Sequence, residues 1–134
     1  YIRFEGVGES SGTYGMAVGE DGLLYSVHPS KRIDVFNLNE IHEGTTLSRS
    51  RQMAYKNTPY ALDFYNGKLY VSSNGEEKFC EVNPKTGEIL KNHTVIGNVT
   101  LEAPEKFCIR RQTLFITDRT KNSPCVYAIP MSEF

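Results

Sequence analysis

Apolar and polar residues alternate along this chain in short runs, each closed by Gly, Asn, Pro or Ser. That pattern is the signature of strands separated by tight turns. The runs also recur. Gly22-Leu23-Leu24-Tyr25-Ser26, Gly67-Lys68-Leu69-Tyr70-Val71 and Gln112-Thr113-Leu114-Phe115-Ile116 repeat nearly the same pattern at a fixed step of 45 residues. A period of about 40–50 residues belongs to propeller blades or to helical arrays, and no helical period of useful length survives between the turns. Strands are therefore expected at residues 14–18, 23–27 and 32–37, at 60–64, 68–72 and 78–82, and at 106–109, 113–117 and 125–129. A fourth strand per unit is legible at 47–55 and at 92–96, each after a turn and before the next unit.

The third unit stops without its fourth strand, whereas the chain opens with an extra one at residues 2–7. The expected fold is all-β, a β-propeller of three four-stranded blades of about 45 residues each. Residues 1–13 form the outer strand of a neighbouring blade and a loop; residues 14–56, 57–101 and 102–134 form blades one, two and three. Propellers close with about four to eight blades, so three blades make half of a six-bladed ring. Either a second copy or an N-terminal half chain would complete it. A small three-sheet solenoid is the alternative, although repeat arrays need neighbours or caps over their ends.

Composition narrows the function. Fifteen basic against 16 acidic residues give a net charge of -1, without the basic surplus of a nucleic-acid footprint. No apolar run approaches the length needed to cross a bilayer, so neither nucleic acid nor membrane is expected as a partner. The start, Tyr1-Ile2-Arg3-Phe4-Glu5, has neither an initiator Met nor a signal peptide's apolar core and reads as a processed or excised chain. Cys80, Cys108 and Cys125 lack metal-ligand or redox spacing and the three His are scattered, so no metal and no cofactor are expected. Cys108 and Cys125 fall on the first and third strands of blade three, too far apart to pair. Asn92-His93-Thr94 and Asn98-Val99-Thr100 are glycosylation triplets, which point to glycans at Asn92 and Asn98 and to a secreted protein.

Propellers bind ligands where loops converge at one mouth of the channel. Those loops are expected at residues 10–13, 57–59 and 102–105, and at 28–31, 73–77 and 118–121. Within them Tyr14 and Tyr60 are candidates to stack on a ring, Glu105 or Asp118 to pair with an ammonium, and Asn57, Thr58 and Ser73 to give neutral hydrogen bonds. Each has a plainer role as well: the tyrosines begin inner strands and fill core, and Asp118 suits a turn. His28 is the candidate acid or base if the protein is an enzyme. Glu105, Asn57 and Asp118 are the trio available to calcium-assisted hydrolysis. Neither a nucleophile elbow nor a phosphate-cradling glycine loop is present.

The repeat also carries a resemblance. Tyr14-Gly15-Met16-Ala17-Val18-Gly19, Leu24-Tyr25-Ser26-Val27-His28-Pro29, Tyr60-Ala61-Leu62-Asp63-Phe64, Cys80-Glu81-Val82-Asn83 and Leu114-Phe115-Ile116-Thr117-Asp118-Arg119 follow the order of the C-terminal half of the Yellow and major royal jelly protein family. The resemblance implies a secreted six-bladed propeller, in a family that includes dopachrome-converting enzymes and salivary proteins holding biogenic amines in the central channel. Blades of the strictosidine synthase, gluconolactonase and NHL-repeat groups share the same strand pattern. The expected function is thus binding of a small aromatic or biogenic-amine ligand at the channel mouth. The alternatives are dopachrome conversion or lactone hydrolysis, and a storage or protein-interaction role without a small-molecule site.

Overall fold

The computed structural model describes residues 14–42, 44, 46–120 and 123–134, with residues 3–5 as backbone. The first sheet contains β2 (Gly15–Val18), β3 (Leu23–His28), β4 (Arg32–Asn37) and β6 (Arg51–Ala54), hydrogen-bonded in that order. The second contains β7 (Thr58–Tyr65), β8 (Lys68–Asn74), β9 (Phe79–Val82) and β10 (Ile89–Asn92), again in sequence order. The third holds β13 (Pro104–Arg110), β14 (Thr113–Asp118) and β15 (Cys125–Pro130). All the pairings within these sheets are antiparallel.

Turn chemistry sets the hairpins. Asn66 and Gly67 both adopt positive φ, 49° and 73°, which gives the two-residue turn whose twist matches paired strands. The equivalent turn of the third sheet uses Arg111 and Gln112 at φ 50° and 61°, so there the repeat holds a backbone geometry that its side chains disfavour.

The second sheet is the middle layer, and β8 shows it: every residue between Lys68 and Asn74 is buried. Leu69 and Val71 face the first sheet in a cluster with Tyr25, Val27, Ile33, Val35 and Cys80. Tyr70 faces the third sheet with Phe79, Ile109, Leu114, Ile116 and Ile129. The third sheet buries one face against it and so alternates along β14 and β15. By contrast, β3 and β4 of the first sheet are buried on both faces, because Leu24 and Phe36 pack with Leu47 on the side away from the middle layer.

Two expectations about fourth strands are corrected. Residues 47–55 do not form one strand, because the chain bends at Ser50, whose N–H and hydroxyl both donate to the Val35 carbonyl at 2.8 Å. Only β6 joins the sheet; β5 (Thr46–Ser48) leaves it, buries Leu47 beside Leu24 and Phe36, and pairs in parallel with β1 (Arg3–Glu5). The strand expected at 92–96 lies at Ile89–Asn92. It ends there because the Asn92 side chain accepts from the Thr94 N–H at 2.9 Å and the Thr94 hydroxyl at 2.6 Å, a turn that competes with the ladder. Residues 95–100 then form a separate hairpin, β11 (Val95–Ile96) with β12 (Val99–Thr100), around Gly97 at φ 57°. Of the opening strand expected at 2–7, residues 3–5 lie along β5, and residues 2, 6 and 7 lie outside the described residues.

Candidate functional site

The site forms where β2, β7 and β13 begin and β3, β8 and β14 end. Pro59 pairs with Ser73 and Pro104 with Asp118, each before the same register shift. This sets two rows of equivalent positions across the three sheets: Tyr14, Tyr60 and Glu105 in one, His28, Ser73 and Asp118 in the other.

The first row opens to solvent. The rings of Tyr14 and Tyr60 lie 6.2 Å apart at 37°, with Tyr14 43% exposed. Between their strands reaches Lys106, the residue after Glu105. Its ammonium donates to the carbonyls of Tyr14 at 2.6 Å and Tyr60 at 2.8 Å, and stands 5.6 Å from the centre of the Tyr14 ring. An ammonium has three donors, so two are spent tying the three inner strands together. Beside it a cavity of about 140 Å³ is lined by Tyr60, Ser73, Lys78, Glu102, Glu105 and Arg119, among others. Arg119 pairs with Glu105 at 3.2 Å, and the Lys78 ammonium donates to the Glu102 carbonyl at 2.6 Å.

The second row is turned inward, at 1–2% exposure. Asp118 accepts from the backbone N–H groups of Glu102 at 2.9 Å and Ala103 at 2.8 Å, closing the loop before β13. The Ser73 hydroxyl donates to the Glu77 carbonyl at 2.9 Å, and His28 Nδ1 accepts from the Ser30 N–H at 3.1 Å. Asn57 belongs to this inward network, with its amide donating to the Glu77 carbonyl at 3.3 Å. Gly75 packs so tightly on Asn57, at φ 131°, that a side chain there has no space. Lys56 and Asn57 both bond the Glu77 carboxylate and hold its pKa below the usual value. Thr58 opens β7 opposite Asn74.

Of the expected site residues, Tyr14, Tyr60 and Glu105 are therefore gathered at the mouth, and Ser73 lines the cavity with its hydroxyl already committed. Asn57, Asp118 and His28 hold backbone instead. Glu105, Asn57 and Asp118, the trio considered for calcium, each have a different local partner. Among the described residues no group of three or more His, Cys, Asp or Glu side chains is placed to hold a metal ion. Sequence reasoning missed Lys106, Lys78 and Arg119. Lys106 read as an ordinary strand residue, and only the meeting of three inner strands reveals its role.

No protein-family model and no curated protein matches the chain. Solved structures do. Glutaminyl cyclase from Myxococcus xanthus matches with a TM-score of 0.64 and 16% identity over 88% of this chain and 47% of that one. Nidogen, in a nidogen/laminin complex, matches at 0.61 and 15% over 90% and 45%. BamB from Moraxella catarrhalis matches at 0.55 and 11% over 89% and 34%. At such identities the likeness shows the fold: an all-β chain of the β-propeller class, whose sheets are blades. The chain spans less than half the length of these structures.

Proposed function

We propose that this chain is a ligand-binding segment of a propeller, half of a six-bladed ring, and that its channel mouth takes a small aromatic molecule carrying an acidic group. The observation behind this reading is the Lys106 ammonium seated between Tyr14 and Tyr60. The two rings give a planar ligand a stacking surface, and the remaining N–H of Lys106 gives an anion a charge-assisted donor. An amine is served less well. The Asp118 carboxylate is taken by two backbone amides, Glu105 is paired with Arg119, and the face of Tyr14 already holds a cation of the protein's own.

His28 supports no catalytic reading, since its ring is buried and its Nδ1 closes a turn. The function proposed is binding. A secretory setting remains part of the proposal; it is supported by the exposure of both Asn92 and Asn98, the latter at the tip of the β11–β12 hairpin. A matched pair of ligands tests the reading. Calorimetry with indole-3-acetate and tryptamine, the same ring with opposite charge, should give heat with the acid and little with the amine. Preference for the amine, or no heat from either, would overturn it.

A further inference from the structure

We propose that a second copy of this chain seats on the outward face of the third sheet, so that two copies close one six-bladed ring and share one mouth. The repeat itself supplies both halves of the joint. In the second sheet, Ala61, Asp63, Tyr70 and Ser72 form the face that receives the third sheet. Asp63 accepts there from the Ile109 N–H at 3.0 Å, the Ser72 hydroxyl donates to the Glu105 carbonyl at 2.7 Å, and Tyr70 is 3% exposed.

The register shared by β7–β8 and β13–β14 makes Lys106, Cys108, Phe115 and Thr117 their counterparts. All four are exposed, but the Lys106 ammonium turns back to the mouth, which leaves Cys108, Phe115 and Thr117, with Val126 at 64% exposed beside them, to meet the second copy. The other end of the molecule shows the complementary vacancy. Leu62 and Phe64 pack against the first sheet, whereas their counterparts Met16 and Val18 are 57% and 55% exposed. Among the described residues no sheet packs on either of these two faces, and each carries the positions that make such a contact inside the molecule.

Charge selects a second copy as the occupant. The turn of one sheet lies against the end of the neighbouring sheet's inner strand, as Gly19 does against the Phe64 ring of β7, next to the Asn66-Gly67 turn. The same placement in a closed ring brings the exposed Arg111 alongside the exposed Glu20 of the second copy, while Arg110 and Asp21 beside them are held within the chain by Asp63 and by Leu23 and Tyr25. Phe115 and Val126 then face Met16 and Val18 of that copy. A two-fold axis makes both joints identical, and three blades from each copy fall within the range that closes. Tyr14, Tyr60 and Lys106 of both copies then surround one channel. That sharing rests on the binding proposed above; the seating does not.

Sedimentation equilibrium at micromolar concentration should give twice the 15.1 kDa of the chain. Phe115→Asp should return it to the single mass. Arg111→Glu should weaken the dimer about 25-fold, because each of the two identical joints loses a rim pair worth about fivefold, and adding Glu20→Arg should restore it, which a merely misfolded variant would not do. Thiol labelling supplies an independent readout. Burial pushes the Cys80 thiol up to about 12, so in a Cys125→Ser background labelling reports the exposed Cys108 and should slow as concentration rises. A monomer whose Cys108 labels at one rate at all concentrations overturns the proposal, as does assembly only with a different propeller chain. Because mass is read without ligand, a dimer that ignores indole-3-acetate would sink the binding reading alone.

Discussion

Two rows of equivalent positions circle the same end of this molecule and meet opposite fates. His28, Ser73 and Asp118 are polar, buried and bonded to the backbone of their own loops. Tyr14, Tyr60 and Glu105, with Lys106 at their side, present rings and charge to the opening. Both rows consist of residues suited to binding. The difference is burial: a buried donor or acceptor must find a partner within the fold and is then a structural element, whereas Lys106, with two donors on carbonyls, keeps its third toward the opening.

The largest effect should come from Asp118→Ala, which strips two backbone amides of their charged acceptor and should cost about 3 kcal/mol in urea unfolding. An unchanged midpoint would mean that this row is not structural. His28→Ala should cost about 2 kcal/mol by opening a hole at a buried position, while the folded fraction keeps its affinity for indole-3-acetate. The opening row should behave in reverse. Lys106→Met should lower that affinity about tenfold, the worth of one charge-assisted bond, with a melting shift of only a few degrees, and Tyr14→Ala should lower it several-fold by removing a stacking surface.

The smallest effect concerns Glu77. Lys56 and Asn57 depress its pKa, so its contribution is complete above the ordinary carboxylate value and fades as the pH falls through the lowered one. Since the carboxylate is solvated, Glu77→Gln should merely flatten the acid limb of the stability curve slightly. A large shift there would place Glu77 in the buried network rather than at its rim.

Much of the fold was legible because period and turn chemistry agree. Asn66-Gly67 marks its hairpin, and the spacing of Leu24, Leu69 and Leu114 places the second strand of each of the three large sheets. The fourth strands were misplaced because local side-chain bonds decide them. Ser50 folds onto the Val35 carbonyl and Asn92 captures Thr94, and hydrophobic alternation carries no trace of either. The mouth was half legible. Tyr14, Tyr60 and Glu105 follow from strand boundaries, but Lys106 acts on carbonyls 92 and 46 residues away, a contact that exists only once three sheets have packed. Nor does composition reveal that Asp118 is spent, because the amides that consume it belong to a loop.

The most direct test of the account is to reverse the charge it places at the centre of the mouth. With Lys106→Glu, calorimetry against indole-3-acetate and tryptamine should show the preference inverted, the acid losing its heat and the amine gaining it, in a protein whose circular dichroism is unchanged. A folded Lys106→Glu protein that still prefers the acid would contradict the claim that Lys106, set between Tyr14 and Tyr60, selects the ligand.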